Sequence, residues 1–350
     1  MSPAIPAECV LPEPAEELSI RSAEGNLLHA AVFGAPAAPT VVLAHGWTCS
    51  IAFWAPVIRQ LAGDYRLVAY DQRGHGRSER PSATAGYTTR ALADDLEAVV
   101  TRSVPAGERA VLVGHSMGGM TIMAAGGRSE VAARTAAALL VSTGSCDLVP
   151  HLRVAPDALR SPALRRFVHR RVMQSRLPLG PVSGVSRALL KYATMGPAST
   201  PDLVEATARI VHACPTAVRT GWAGLLEELD VTDGLARLAA PTAVLVGTED
   251  RLTPPVHSHR IVAGLPDPQG LLLLPGVGHM SPMERPAAVA GEIHRLAAAY
   301  LPVQRAAGPA ESAVNRSADP SVNRSADPSV DPAADPAGTI GQPVERSVAG

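Results

Sequence analysis

A serine flanked by glycines is the first group in this sequence that could do covalent chemistry. Ser116 is the middle residue of Gly-His-Ser-Met-Gly at positions 114–118. A strand-like apolar run, 110–114, leads into this segment, and a helical pattern follows it at 120–125. So tight a turn between a strand and a helix would strain the serine backbone and hold its hydroxyl outward. The pattern therefore predicts that Ser116 is a nucleophile.

A serine hydroxyl attacks a carbonyl only when a base takes its proton and an acid orients that base. The strand-like runs 242–246 and 270–274 lie downstream, and each is followed by one suitable residue, first Asp250 and then His279. The ends of parallel strands share one edge of a sheet, so we expect the two side chains to meet Ser116 there. Two other acids stay open for the orienting role: Glu249, and Asp147 after the strand-like run 137–142.

The negative charge that develops on an attacked carbonyl needs two hydrogen-bond donors. The loop after the strand-like run 40–44 reads His45-Gly46-Trp47-Thr48. Gly46 would let the backbone approach the substrate, so the backbone N–H of Trp47 is one expected donor. The second is the N–H of Met117, at the start of the helix after the nucleophile. His45 is expected to support the loop by hydrogen bonding rather than to transfer protons.

These residues require a sheet that brings distant strand ends together. Apolar runs typical of strands covered on both faces occur at 40–44, 66–70, 110–114, 137–142, 242–246 and 270–274. Helical patterns separate the runs, and residues 19–34 read as a leading antiparallel hairpin. This alternation predicts an α/β fold with a mostly parallel, doubly wound sheet.

No strand-like apolar run occurs between about 146 and 229. Apolar and basic residues recur there at helical spacing, over 159–171, 185–192 and 203–212. We therefore predict a helical cap at 146–229, inserted into a core formed by 16–145 and 230–303.

The two ends of the chain differ in composition from this core. Residues 1–15 are rich in proline and acids and are expected to be a flexible N-terminus. Residues 314–321 are repeated at 322–329, and both copies are rich in Ser, Asp and Pro. Such repeats have little to bury, so 304–350 is predicted to be a disordered tail.

Composition limits the function classes. The formal net charge of −1 gives no reason to expect nucleic acid or an anionic membrane as a partner. The four cysteines are scattered without pairwise spacing, so neither a zinc site nor a disulfide framework is indicated. No metal or cofactor is expected. No signal-like or membrane-spanning run is present in the sequence, which favours a cytoplasmic protein that acts on a small molecule. Oligomeric state cannot be read from the sequence.

Over about residues 15–303 the chain resembles the α/β-hydrolase superfamily. The matching blocks are His-Gly-Trp at 45–47, Asp-Gln-Arg-Gly-His-Gly-Arg-Ser at 71–78, Gly-His-Ser-Met-Gly-Gly at 114–119, Gly-Thr-Glu-Asp at 247–250 and Gly-His at 278–279. The resemblance implies a chain order of Ser, acid and His in the catalytic triad. It also implies that the block at 71–78 shapes the neighbouring oxyanion loop and takes no part in the chemistry.

Residue identities narrow this resemblance. Serine at 116 excludes the usual epoxide hydrolases and haloalkane dehalogenases, which carry aspartate there. Cofactor-free haloperoxidases (perhydrolases) are similar around Trp47 but typically continue with proline where this chain has Thr48. Esterases and monoacylglycerol lipases resemble the segment 114–119 better, which implies hydrolysis of carboxylic esters through an acyl-enzyme. Perhydrolysis, lactone, amide or C–C bond hydrolysis with the same triad, and a non-catalytic ligand-binding relative, stay open as alternatives.

Overall fold

The computed structural model describes residues 4–154, 161, 167, 171, 175–177, 179–301 and 345–347, with the backbone alone at 84 and 345–347. Every strand predicted from an apolar run is present, and the bounds of two agree to the residue. The strands are β1 (Glu16–Arg21), β2 (Leu27–Phe33), β3 (Thr40–Ala44), β4 (Arg66–Tyr70), β5 (Ala110–His115), β6 (Thr135–Val141), β7 (Thr242–Gly247), β8 (Pro268–Leu274) and β9 (Glu345–Ser347).

All nine strands belong to one sheet, in the order β1-β2-β4-β3-β5-β6-β7-β8-β9. Strand β2 pairs antiparallel with β1 and β4, and the other pairings are parallel. The mostly parallel α/β sheet and its leading hairpin are therefore confirmed. Because β3, β5, β7 and β8 run in the same direction, the loops that follow them meet at one edge.

The sheet is covered on both faces, which explains why its strands read as continuous apolar runs. Along β3, Val41 and Leu43 face one hydrophobic cluster, whereas Val42 and Ala44 face the other. The helices are α1 (Ala55–Leu61), α2 (Thr89–Ser103), α3 (Met117–Ala124), α4 (Ser129–Arg134), α5 (Leu148–His151), α6 (Gly184–Thr194), α7 (Pro201–Ala213), α8 (Thr216–Glu228), α9 (Thr232–Leu235), α10 (Pro255–Gly264), α11 (Ser281–Glu284) and α12 (Pro286–Tyr300). Short 3-10 turns lie at Ala7–Cys9, Ile51–Trp54 and Thr84–Gly86.

Helices α5 to α9 lie between β6 and β7, and the described part of 146–229 contains no strand. Ser183 caps α6 through a reciprocal pair of hydrogen bonds with Ser186, and Thr200 accepts from the Leu203 N–H at the start of α7. Two of the predicted helical segments, 185–192 and 203–212, fall inside these helices. The third, 159–171, lies outside the described residues except at three positions.

Part of the N-terminal segment, which was predicted to be flexible, packs against the core. Cys9 is buried against the core cluster that includes Val57 and Ile58, and the Arg59 guanidinium donates to the carbonyl of Val10 at 2.8 Å. A few apolar contacts and one hydrogen bond therefore fix residues 7–10, which composition alone did not reveal.

The C-terminal segment is described only at 345–347. These residues form β9, parallel to β8. An edge strand presents unpaired backbone groups, and any extended segment of the chain can pair with them. The rest of the predicted tail lies outside the described residues. No helix within the described residues is long and apolar enough to cross a membrane.

Candidate active site

Ser116 is the turn between β5 and α3. Its φ of 51° and ψ of −117° are strained values for a residue with a side chain. A Cβ at Gly114 would lie 2.4 Å from the Gly118 carbonyl oxygen, and one at Gly118 would lie 2.1 Å from that of Ala44. The two glycines are therefore needed because neighbouring backbone occupies the space that a side chain would fill.

Asp250 and His279 form a buried pair next to this turn. The His279 Nδ1 lies 2.8 Å from the Asp250 Oδ2, and both residues are almost fully buried. The other carboxylate oxygen, Oδ1, accepts from the backbone N–H groups of Leu252 and Thr253 at 2.9 and 2.8 Å. The Thr253 hydroxyl donates to Oδ2 at 2.9 Å. This network fixes the carboxylate so that one oxygen faces the histidine.

The other two acids that the sequence left open lie elsewhere. Glu249 is exposed. The Asp147 side chain is 64% exposed and lies 3.8 Å from the Arg260 guanidinium. Of the three candidates, only Asp250 contacts His279.

The loop that carries His279 is attached to the segment after α6. The backbone N–H of His279 donates to the Thr194 carbonyl at 2.7 Å. The Glu284 carboxylate accepts from the N–H groups of Gly196 and Gly278, at 2.7 and 3.0 Å, and from the Ser199 hydroxyl at 2.9 Å. Burial raises the pKa of Glu284, and these three donors oppose that rise. The carboxylate thus joins the histidine loop to the segment at 194–199.

The predicted oxyanion loop is supported by His45. The Gln72 N–H donates to His45 Nε2 at 3.0 Å, so the ring proton is on Nδ1, which donates to the Gly46 carbonyl at 2.8 Å. Burial lowers the pKa of His45, which keeps the ring neutral as this pattern requires.

His75 is a second neutral histidine that supports the oxyanion loop by accepting a backbone hydrogen bond. The Thr48 N–H donates to His75 Nε2 at 3.2 Å, and burial lowers the pKa of His75 to about 3. Thr48 itself has a φ of 64°. The neighbouring Trp47 donates its indole N–H to the carbonyl of Arg219 at 3.1 Å, which links this loop to α8. Within the described residues, no protein atom accepts from the backbone N–H of Trp47 or of Met117.

His115, the residue before Ser116, connects the loops that carry Gly46, Ser116 and His279. Its Nε2 donates to the His279 carbonyl at 2.9 Å, and burial holds its pKa well below the usual value. A Cβ at Gly46 would lie 2.7 Å from His115 Nδ1 and 3.1 Å from the Ser116 Cβ. Only glycine at 46 therefore lets the oxyanion loop lie against this ring.

Asp71 organises the block at 71–78 that the resemblance assigned to the scaffold. Its carboxylate accepts from the backbone N–H groups of Ile51 and Arg77 at 2.8 and 3.0 Å and contacts His29 at 2.9 Å. Although burial acts to raise its pKa, these bonds lower it overall. The Ser78 hydroxyl donates a hydrogen bond to the Asp71 carbonyl at 2.5 Å. These contacts hold the turns on which His75 and the loop at 45–48 depend.

Ser116 and His279 line one cavity of about 350 Å³, together with Trp47 and Thr48 of the oxyanion loop. The rest of the wall is mainly apolar, and most of it comes from the regions of α5, α6, α7 and α8: Leu148, Leu152, Val154, Leu179, Leu190, Ala193, Val211 and Leu226. No hydrogen bond joins the Ser116 hydroxyl to His279 in the described structure, an interaction that often closes only around bound substrate.

Four residues of the site had no separate role in the sequence interpretation. Thr253 and Glu284 hold the acid and the histidine loop, His115 connects the loops, and Arg219 lines the cavity. Thr253 lies three residues after Asp250, and His115 directly precedes the nucleophile, so proximity was an available signal for these two. For Glu284 and Arg219 the sequence contains no comparable signal.

Comparisons with known proteins identify the family of the chain. The sequence profile of the Alpha/beta hydrolase family matches residues 41–292. A pimeloyl-[acyl-carrier protein] methyl ester esterase of Xanthomonas campestris pv. campestris is 29% identical over 268 residues, 75% of this chain and 96% of that protein. A non-heme chloroperoxidase of Streptomyces lividans is 30% identical over 232 residues, 61% of this chain and 75% of that protein.

Other similar proteins match a smaller or a larger share of their own length. Curated mycobacterial relatives are 40% identical over 89 residues, and the chain spans only 15% of their length. Among solved structures, an esterase from Thermogutta terrifontis is similar with a TM-score of 0.63 and 25% identity, covering 80% of this chain and 97% of that one. The profile match covers most of the chain and agrees with the fold, so the chain belongs to the Alpha/beta hydrolase family.

Proposed function

We propose that this hydrolase cleaves carboxylic esters through an acyl-enzyme formed on Ser116. The observation that carries the proposal is the lining of one apolar cavity by a strained serine and by a histidine that is paired with a buried aspartate. This set of groups supplies the nucleophile, the base and the orienting acid that acyl transfer needs.

In the first half of the reaction, the Ser116 oxygen attacks the ester carbonyl while His279 Nε2 takes the hydroxyl proton. The Asp250 carboxylate accepts from His279 Nδ1–H, so Nε2 is left free to act as the base. The backbone N–H groups of Trp47 and Met117 stabilise the oxyanion. His279 then protonates the leaving alcohol, and the acyl group stays on Ser116.

In the second half, water enters and His279 removes its proton. The hydroxide attacks the acyl carbonyl, the same two N–H groups stabilise the second oxyanion, and the proton returns to Ser116. The rings of His45, His75 and His115 take no proton in these steps, because burial lowers the pKa of each one. They hold the loops in place.

The cavity supports a small or medium apolar acyl or alcohol group as substrate. A volume of about 350 Å³ is at the small end of the usual range for ligand sites. Most of its wall is formed by apolar side chains, largely leucines, from the regions of α5, α6, α7 and α8.

The oxyanion loop favours ester hydrolysis over perhydrolysis. Thr48 has a φ of 64°, whereas proline is restricted to a φ of about −65°. Thr48 also donates its backbone N–H to His75, which a proline cannot do. This loop therefore differs from the proline-bearing loop typical of the cofactor-free haloperoxidases. Lactone, amide and C–C bond hydrolysis would use the same groups and need an assay.

The test combines active-site labelling with turnover. A fluorophosphonate probe is expected to label the native chain at Ser116, and p-nitrophenyl esters with short acyl chains are expected to be hydrolysed. Ser116→Ala should lose the label and reduce kcat by about 10⁶-fold, as other Ser-His-Asp enzymes do when the serine is removed. Ser145→Ala is the matched control, because Ser145 is buried outside the cavity wall.

Retained ester turnover in Ser116→Ala would contradict the proposal. A panel of esters, lactones, amides, a β-diketone and a peracid assay on the same preparation separates the alternatives. Tight stoichiometric binding of one of these compounds without turnover would favour a ligand-binding relative instead.

A further inference from the structure

A buried cation forms part of the cavity wall. Arg219 is 7% exposed and lines the same cavity as Ser116 and His279. It belongs to α8, and Leu226, two turns later on the same face of that helix, also lines the cavity. No other lysine or arginine belongs to the cavity wall within the described residues.

The Arg219 guanidinium has no acidic partner among the described residues. Its Nη2 donates to the carbonyl groups of Ser175 and Leu177, which carry no net charge. Its Nε is buried without a hydrogen-bond partner. The adjacent Cys214 thiol does not supply the missing charge, because burial raises its pKa to about 12. A guanidinium is always charged in proteins, so the described residues leave this positive charge without neutralisation.

An uncompensated buried charge is costly, and such charges in proteins are paired or bind a ligand of opposite sign. The unused donors of Arg219 are suited to a carboxylate, which a guanidinium can bind through two parallel hydrogen bonds. The apolar walls suit the methylene groups that would separate this carboxylate from the ester. The indole N–H of Trp47 donates to the backbone carbonyl of Arg219, which attaches α8 to the loop that would hold the oxyanion.

We propose that Arg219 binds a carboxylate on the substrate, so that the preferred esters are monoesters of dicarboxylic acids or esters with a similar second acidic group. This inference rests on the proposed ester hydrolysis for its reaction, and on Arg219 alone for its selectivity.

The experiment compares anionic with neutral esters of matched length. The anionic set is monomethyl succinate, glutarate and adipate, and the neutral set is the methyl esters of the monocarboxylic acids with equal carbon numbers. Proton release measured by pH-stat gives kcat/KM for each. Arg219→Gln should lower kcat/KM for the best monoester by about 10- to 100-fold and change the neutral esters by less than about threefold. Arg219→Lys, which keeps the charge, should retain most of the preference.

Two control variants sharpen the result. Arg209→Gln removes an exposed cation of α7 outside the cavity wall and should leave the preference unchanged. Asp157 is the one acidic residue between Leu152 and Ser175 in the sequence, and it lies outside the described residues. Asp157→Asn should also leave the preference unchanged. A marked gain of monoester turnover in that variant would mean that Asp157 neutralises Arg219, and would overturn the inference.

The inference is also overturned if Arg219→Gln lowers both ester sets equally, or lowers the melting temperature without changing the preference. Either result would mean that Arg219 only anchors the segment at 175–177. Calorimetric binding of monomethyl and dimethyl adipate to Ser116→Ala separates this failure from a failure of the proposed reaction, since it needs no turnover. Monomethyl adipate should bind about 10- to 100-fold more tightly to Ser116→Ala than to Ser116→Ala/Arg219→Gln. Dimethyl adipate should not distinguish the two proteins.

Discussion

Replacement of Asp250 by asparagine tests the proposed triad most directly. The Asp250 Oδ1 accepts two backbone N–H groups, from Leu252 and Thr253, at 2.9 and 2.8 Å. An asparagine oxygen will keep this position, because the amide NH₂ would otherwise face two donors. The NH₂ group must then occupy the place of Oδ2, 2.8 Å from His279 Nδ1.

That exchange reverses the proton pattern of the histidine. An N–H that faces Nδ1 requires Nδ1 to be an acceptor, so the ring proton moves to Nε2. A protonated Nε2 cannot take the proton of Ser116. The same change in the Ser-His-Asp template costs about 10⁴-fold in kcat, equivalent to about 5 kcal/mol of transition-state stabilisation. The fold should survive, because both backbone hydrogen bonds are kept.

The assay is kcat/KM for a short p-nitrophenyl ester near neutral pH, together with the rate of fluorophosphonate labelling. Both should fall by about 10³- to 10⁴-fold in Asp250→Asn, with an unchanged circular dichroism spectrum. Glu249→Gln and Asp147→Asn are the matched controls and should stay within about threefold, since neither acid contacts His279. If Asp250→Asn keeps a tenth of the native activity, or if Asp147→Asn loses as much, the assignment of the acid is wrong.

Two further predictions concern the oxyanion loop. Gly46→Ala should lower kcat by about 10²-fold, because its Cβ would lie 2.7 Å from His115 Nδ1 and displace the loop; Gly63→Ala, whose Cβ would meet no atom within 4 Å, is the control and should be fully active. His75 has its pKa lowered from 6.5 to about 3 by burial, so the unfolded chain binds the proton first and stability falls as the pH drops below 6.5. Between about pH 7.5 and about pH 5 the wild type should lose about 2 kcal/mol of unfolding free energy that His75→Gln does not lose, measured by urea titration; equal losses in both proteins would contradict the role of His75 as the neutral acceptor for Thr48.

The strands of the sheet could be predicted from the sequence because each strand is marked by its own residues. A strand covered on both faces must be apolar at every position, and the runs at 40–44 and 66–70 match β3 and β4 residue for residue. The turn at Ser116 could be predicted for a similar reason, because the space around it demands glycine at both 114 and 118. The pairing of β9 with β8 could not be predicted from the sequence, because the free edge of a sheet can pair with many extended segments.

The supports of the site depend on contacts between segments far apart in the chain. Glu284 joins Gly278 to Gly196 and Ser199, and nothing in the local sequence of Glu284 distinguishes it from a surface acid. Arg219 belongs to a region where arginines recur at helical spacing. Sequence spacing gives a helix face but does not show which face meets the cavity. The geometry supplied that information.

The basic side chains around Ser116 are of two kinds, neutral histidines and one charged arginine, and this difference affects the selectivity for charged esters. His45, His75 and His115 are kept neutral by burial, so the histidines that hold the loops add no positive charge near the oxyanion. The remaining cation of the described cavity wall is Arg219. Among the described residues, only that side chain could give a preference for anionic esters, so a single substitution at 219 should remove such a preference.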